Sequence, residues 1–340
     1  GPTDFAVSAG TLRFADGATL TAKSAVTAAA GATLAFGTNA RPVMGGSITV
    51  ADGATFALED GWVQSVASGV LTVAGEAIAD GRYVAGETDS RITGCGLLLV
   101  GPQTDPESDP HVWTGGGATT SLTDPDNWDS APNFMDGSLL ATFPADAQVS
   151  LPATDVCRLR GIRFAGESPS FTLTGGGRVY LGEGGLMALG AESTVTIDTP
   201  VTFEKALTIC VTNKLILTEN GVLSAMDSST MLTLACGGST EIRSSNPLLG
   251  ITMATGTIHV YSDNALGDAR ATFIQTGKEE DNVLVLHDCS LDCVIDLRGG
   301  NRNSHLRAQE GVSFLNGLVK PTVGGNEEQF TSEPGAELHF

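Results

Sequence analysis

Aromatic side chains are scarce in this chain: only 6% of its 340 residues are Phe, Trp or Tyr, although 41% are hydrophobic. The apolar surface is carried instead by small and β-branched residues, which suit a thin core with little room for rings. Cations are scarce too, 18 Lys and Arg against 39 Asp and Glu, for a formal net charge of -21. A surface that binds phosphates needs clustered Lys and Arg, so DNA and RNA are excluded as expected partners. No run approaches the roughly 20 apolar residues of a membrane span, and no charged segment followed by an apolar one opens the chain. Six cysteines fall far short of a disulfide scaffold. Also missing are H-E-x-x-H, G-x-S-x-G, a P-loop, a D-T-G or D-S-G triplet, C-x-x-C and any N-x-S/T sequon. Mainstream enzymes that leave linear motifs are thereby disfavoured. A β-helical enzyme is not, because its groups come from successive rungs. No segment sustains a 3.6-residue apolar period, which argues against a helical fold.

What is present is repetition. Gly10-Thr-Leu12-Arg-Phe14 is followed by Asp16-Gly-Ala-Thr-Leu20, and Ala30-Gly-Ala-Thr-Leu34 comes next. Gly46-Ser-Ile48-Thr-Val50 is followed by Asp52-Gly-Ala-Thr-Phe56, and Gly69-Val-Leu71-Thr-Val73 repeats the strand half alone. A recurring strand and turn is the mark of a solenoid, in which each unit buries its apolar face only against the next. This pattern predicts an all-β solenoid in two blocks. The first covers residues 1–101 and closes on Gly81-Arg-Tyr83-Val84 and the apolar run Leu97 to Val100. Residues 102–110, with three prolines and three acids from Gly101 to Pro110, read as an extended linker. The second block, 111–340, begins with Trp113 and Trp128, which are expected to plug the open end of the stack. Alternating strands then recur every 15 to 26 residues or so, from Gly161-Ile-Arg-Phe164 through Val195-Thr-Ile197 and Ile258-His-Val260 to Val283-Leu-Val-Leu286.

Three features resemble a known group: the Trp-Thr-Gly-Gly-Gly…Asn-Trp opening at Trp113 to Trp128, the Gly-Gly-Leu turn near Gly185, and Tyr261-Ser-Asp-Asn-Ala-Leu-Gly267. Together with the Gly-Arg-Tyr and Ile-Thr-Gly-Cys-Gly-Leu-Leu-Leu-Val close of the first block, they look like the autotransporter-associated β-strand repeat proteins. The resemblance implies a right-handed parallel β-helix, export to the bacterial surface or beyond, and a passenger-like or adhesin-like role. It carries no catalytic residues. Gly1-Pro2 has the form left by a tag-cleaving protease, and the chain is expected to be a segment of a longer protein whose export signal and anchor lie outside it. A monomer is expected.

Three clusters are candidates for chemistry. Asp124, Asp126 and Asp129, with Asn127 between them, place hard oxygens in one loop, as calcium prefers, or else form a capped turn. In His287-Asp-Cys289…Asp292-Cys293…Asp296, the residues Asp288, Asp292 and Asp296 share a face by strand parity and form a candidate acid/base set. The same segment offers His287, Cys289 and Cys293 as zinc ligands, or else it is a turn with a local disulfide between the two cysteines and solvent-facing aspartates. Cys210 and Cys236 lie one rung apart, at a spacing that suits stacking inside the core; the alternative for the cysteines is buried free thiols, and their pairing is not deducible from the sequence. The only basic cluster, Arg298, Arg302, His305 and Arg307, suits an anionic glycan or else balances the aspartates beside it. Two functions follow. The first is a structural or adhesive module binding a host glycan or extracellular protein. The alternative is a β-helical hydrolase or lyase acting on mucin-type glycoprotein or acidic polysaccharide through carboxylates on adjacent rungs, with Asp288, Asp292 and Arg302 foremost.

Overall fold

The computed structural model describes residues 4–15, 19–20, 25–37, 41–42, 46–58, 63–66, 68–85, 91–94, 97–101, 108–226, 231–246, 250–267, 270–274, 282–298, 304–321 and 329–340. The chain divides into two units, Gly1–Pro106 and Glu107–Phe340. Each is built as a β-solenoid of short strands paired mostly in parallel, about 11 turns when the two are counted. Among the described residues the helical structure is confined to the 3-10 turn Pro125–Asn127.

In the first unit the repeated phrase explains the turn. Strands Phe5–Val7, Val26–Ala28, Ile48–Val50 and Leu71–Val73 form one parallel ladder, and Gly10–Phe14, Ala32–Phe36, Thr55–Leu58 and Ile92–Gly94 form another. The D/A-G step is the corner between them. Gly31 and Gly53 adopt φ of +77° and +73°, a region that side chains with a Cβ rarely enter, and the Gly31 N–H donates to Gly53 O at 2.8 Å, so corner stacks on corner. Register corrects one detail of the repeat. Gly10–Phe14 lies beside Ala32–Phe36, not in the ladder of Ile48–Val50 and Leu71–Val73, so similar Gly-led phrases serve two faces. Leu34, Phe56 and Ile92 follow one another inside, each fully buried. The Leu97–Val100 strand runs parallel to Val63–Val66 but antiparallel to Gly81–Val84, a reversal within a parallel stack.

The second unit begins with its tryptophans. Trp113 and Trp128 meet edge to face at 5.3 Å, Trp113 lies 5.6 Å from Phe143, and the Trp128 indole N–H donates to Leu122 O at 3.0 Å. Both rings are buried and cover the first turns of the core. Beyond them one inward row runs Val149, Leu173, Ile197, Leu217, Ile242, Val260, Leu286 and Ala308, each beside the next in parallel register and each buried. Burying each of the larger members stabilises the fold by about 1.5–3 kcal/mol, but only while its neighbours are in place. Where coils approach closely the sequence has glycine, as at Gly185, φ +62°, where a Cβ would stand 2.1 Å from Thr208 O. A buried ion pair ties two other turns, with the Arg158 guanidinium forked onto Glu204 and its Nη1–H donating to Asp136 O at 2.8 Å.

The cysteines settle between the two readings: among the described residues none is in a disulfide. Cys210 and Cys236 do not stack: Cys210 lies on the outward side of Leu207–Val211, whose inward residues are Leu207, Ile209 and Val211, whereas Cys236 is buried and its thiol meets the Val211 backbone. Cys289 and Cys293 form no disulfide, because both point into the core as small apolar side chains.

A buried asparagine replaces hydrophobic stacking at one corner. Asn246 Oδ1 accepts from Leu223 N–H at 2.7 Å and from the Ser244 hydroxyl at 3.0 Å, while Nδ2 donates to Ala265 O at 2.7 Å and Ser244 O at 3.1 Å. The side chain thus links three successive coils without an unpaired polar atom. Replacing it, Asn246→Ala, strands several buried backbone groups and is expected to destabilise the second unit by about 3 kcal/mol or more in chemical denaturation; a loss well under 1 kcal/mol would refute this account of the corner.

Candidate functional site

An outward-facing ledge on strands Lys214–Leu217, Leu232–Ile242, Gly250–Val260, Asn282–His287 and Ser304–Glu310 gathers the densest chemistry among the described residues. Parallel register makes its composition. Glu241 lies beside His259, His259 beside Val285, and Val285 beside Arg307. A second row follows the inward Leu217, Ile242, Val260 and Leu286: Arg243 and Tyr261 hang from Leu217 O and Ile242 O by their N–H groups, and His287 registers with Glu310. The rings form a column. Tyr261 and His287 stack at 4.1 Å and 18°, the Arg243 guanidinium lies 4.8 Å from the Tyr261 centroid, and His259 lies 5.4 Å from His287.

The polar contacts form a chain. Glu310 Oε1 lies 3.1 Å from His287 Nδ1, and His287 Nε2 lies 3.1 Å from His259 Nδ1. Glu241 accepts from Lys214 Nζ at 2.6 Å and from Arg243 at 2.9 Å. Burial opposes ionisation of the Glu241 carboxyl, but these two cations outweigh it and hold its pKa below the usual range. Burial pushes the His259 pKa down, and His287 adds to the effect. Tyr261 is held above the usual phenol value, first by burial and then by Glu241. The ledge therefore presents an uncharged imidazole and a protonated phenol at neutral pH, bordered by paired charges.

The sequence candidates fall elsewhere or divide. Asp288, Asp292 and Asp296 do not share a face. Asp288 sits at a turn with φ +48° and its Oδ1 accepts from Val312 N–H at 3.0 Å; Asp292, on the next turn, accepts from Asn316 Nδ2 at 2.9 Å. Asp296 is buried on Val294–Arg298. Two breaks in the strand cancel the parity on which that set depended. The zinc set also separates: His287, itself buried, stacks on Tyr261 and meets Glu310, whereas Cys289 and Cys293 lie in the core, where burial pushes the Cys289 thiol up to about 11. Tyr261 to Gly267 forms a turn that supports its neighbour, with Asp263 Oδ1 accepting from Ser290 N–H at 2.7 Å.

In the tryptophan cap, Asp124 caps the 3-10 turn, accepting from Asp126 N–H at 3.1 Å and from the Thr119 hydroxyl at 2.7 Å. Asp129 accepts from Val112 N–H at 3.1 Å and Ser130 N–H at 2.9 Å, and these bonds with His111 lower its pKa. Asp126 is exposed. The capped-turn reading accounts for these contacts, and no cluster of three or more His, Cys, Asp or Glu among the described residues is placed to hold a metal ion. Of the basic cluster, Arg302 lies outside the described residues, as do the side chains of Arg298 and His305; Arg307 is exposed, 3.9 Å from Glu333, and borders the ledge. Sequence reading missed His259, Arg243, Glu241 and Glu310 because they lie up to 69 positions apart, from 241 to 310. The available signal was His259 at the centre of Ile258-His-Val260, an outward position on a strand already recognised.

No family model, curated protein or solved structure matches this chain. Among the described residues no helix is long and apolar enough to cross a membrane.

One titratable group couples to stability. His111 is buried in the cap, with Nε2 3.0 Å from Asp109 Oδ2 and Nδ1 3.1 Å from Ser130 O and 3.5 Å from Asp129. Burial favours the neutral ring, but Asp109 and then Asp129 outweigh it, so the pKa is raised above 6.5. A raised folded-state pKa stabilises fully below the ordinary histidine value and fades as pH climbs through the raised one. Wild type is therefore expected to lose thermal stability relative to His111→Gln as pH rises from about 6 toward 8; a constant difference between the two melting profiles would count against it.

Proposed function

We propose that this chain is a structural and adhesive module of a secreted or surface-exposed bacterial β-solenoid protein, of the autotransporter-associated repeat kind, and that its ledge binds host glycan. The supporting observation is the column of Arg243, Tyr261 and His287 with His259 beside it. Arg243 and His287 cover the two faces of the Tyr261 ring, so the column meets a sugar with its edges, where the phenol, His259 and the neighbouring ion pairs supply hydrogen bonds. Arg307 extends the ledge, and the strand that carries His305 and Arg307 supplies a cation for an acidic sugar. Supporting a binding rather than a two-carboxylate hydrolytic role, the three candidate aspartates are dispersed and Glu241 is engaged by Lys214 and Arg243.

The test is titration calorimetry with mucin glycopeptides and uronic-acid oligosaccharides. Tyr261→Ala is expected to weaken binding about tenfold or more, because Arg243 and His287 lose the ring that holds the column in place, and Tyr261→Phe, which keeps the ring, to leave it within about threefold. Equal affinity in Tyr261→Ala and wild type, or no binding by wild type, would refute the proposal.

A further inference from the structure

The hydrogen-bond chain through the ledge determines where its protons sit. A carboxylate oxygen of Glu310 accepts, so the His287 Nδ1 facing it at 3.1 Å carries the hydrogen. A neutral His287 then has a bare Nε2, which accepts from His259 Nδ1–H at 3.1 Å. That leaves the lone pair of His259 Nε2 without a hydrogen. This is the logic of a carboxylate fixing an imidazole tautomer, extended by one ring. His259 is half-buried, and burial keeps it neutral near pH 7; His287, Lys214 and Arg307, which face it, act in the same direction, and Glu241 opposes them.

From this geometry we propose that the ledge is a lyase site for uronic-acid polysaccharide, with His259 as general base and Tyr261 as general acid. The inference rests on the glycan-binding reading above and adds turnover to it. His259 Nε2 removes the proton on C5 of a uronate. The C–H electron pair forms the C4=C5 double bond, the C4–O4 bond breaks, and the leaving oxygen takes the Tyr261 proton. Transfer from imidazolium to phenolate through solvent resets the site, so neither water nor a cofactor is consumed. Arg307, exposed and 3.9 Å from Glu333, neutralises the uronate carboxylate as negative charge develops at C5. Hydrolysis needs a pair of free carboxylates instead, and the ledge offers an imidazole and a phenol. His287 and Glu310 are positioning residues.

The experiment incubates the full chain with polygalacturonate, alginate or hyaluronan and follows the ultraviolet absorbance of the conjugated unsaturated uronate, with binding measured in parallel by calorimetry. Wild type is expected to generate the absorbance with at least one polymer. His259→Gln should lower the rate by about 100-fold or more, while circular dichroism is unchanged and the loss of affinity stays below about tenfold, so that the rate falls much further than binding does. Tyr261→Phe should retain binding and lose turnover. Glu310→Gln should lower the rate and move the acid limb of the pH profile downward, since His259 loses the carboxylate that supports its basicity. Binding by wild type without any absorbance would overturn the lyase and leave the adhesive reading standing. Absorbance that His259→Gln does not reduce would overturn the assignment of the base, and absence of both binding and absorbance would overturn both readings.

Discussion

Mutual cover between consecutive coils is the constraint on which the rest of this protein depends. No turn has a core of its own, since three short strands enclose only a single layer of side chains. Leu217 is buried because Ile197 lies on one side and Ile242 on the other. The backbone obeys the same rule, because each strand's N–H and C=O groups find partners only above and below. Ends and corners are where the rule fails, and there the chain uses other means: paired tryptophans over the first turns of the second unit, a forked Arg158–Glu204 pair, and an asparagine that satisfies backbone groups on three coils.

The same register that stacks the interior also builds the exterior. Residues one coil apart stand about 4.8 Å from each other on the outside, so an outward side chain always has neighbours of fixed identity. Rows of threonine result in some places, as at Thr11, Thr33 and Thr55. Between Glu241 and Glu310 the rows hold imidazole, phenol, guanidinium and carboxylate instead. Rings stack there because the coil spacing brings them close to van der Waals contact, and the Glu310–His287–His259 chain forms because the edges of adjacent rings fall within hydrogen-bond reach. Rigidity comes with the scaffold: these side chains sit on strands or at their ends, not on long loops.

Much of the fold was legible in the sequence. Gly-Ala-Thr-Leu at 31–34 and Gly-Ala-Thr-Phe at 53–56 are consecutive coils in register, and Val195-Thr-Ile197 stands over Leu215-Ile-Leu217 as alternation suggested. Alternation reports which residues point inward, a local property. It does not report strand breaks, and so parity alone puts Asp288 and Asp292 on one face although each lies at a turn. It also does not separate two similar phrases that belong to different faces, as Gly10–Phe14 shows. Nothing in the local pattern marked Leu97–Val100 as antiparallel to Gly81–Val84, since both directions bury the same residues.

The sequence by itself determined that this protein is a stack of short strands with a narrow apolar interior, because the inward residue of every coil is a local choice repeated at a steady interval. Which outward residues meet was decided only by the tertiary structure. Coil lengths vary, so the partner of His259 on the next turn depends on the insertions between, and a shift of one residue would have put a different side chain against Tyr261. Chemistry needs that contact within about 3 Å, and only the folded register supplies it.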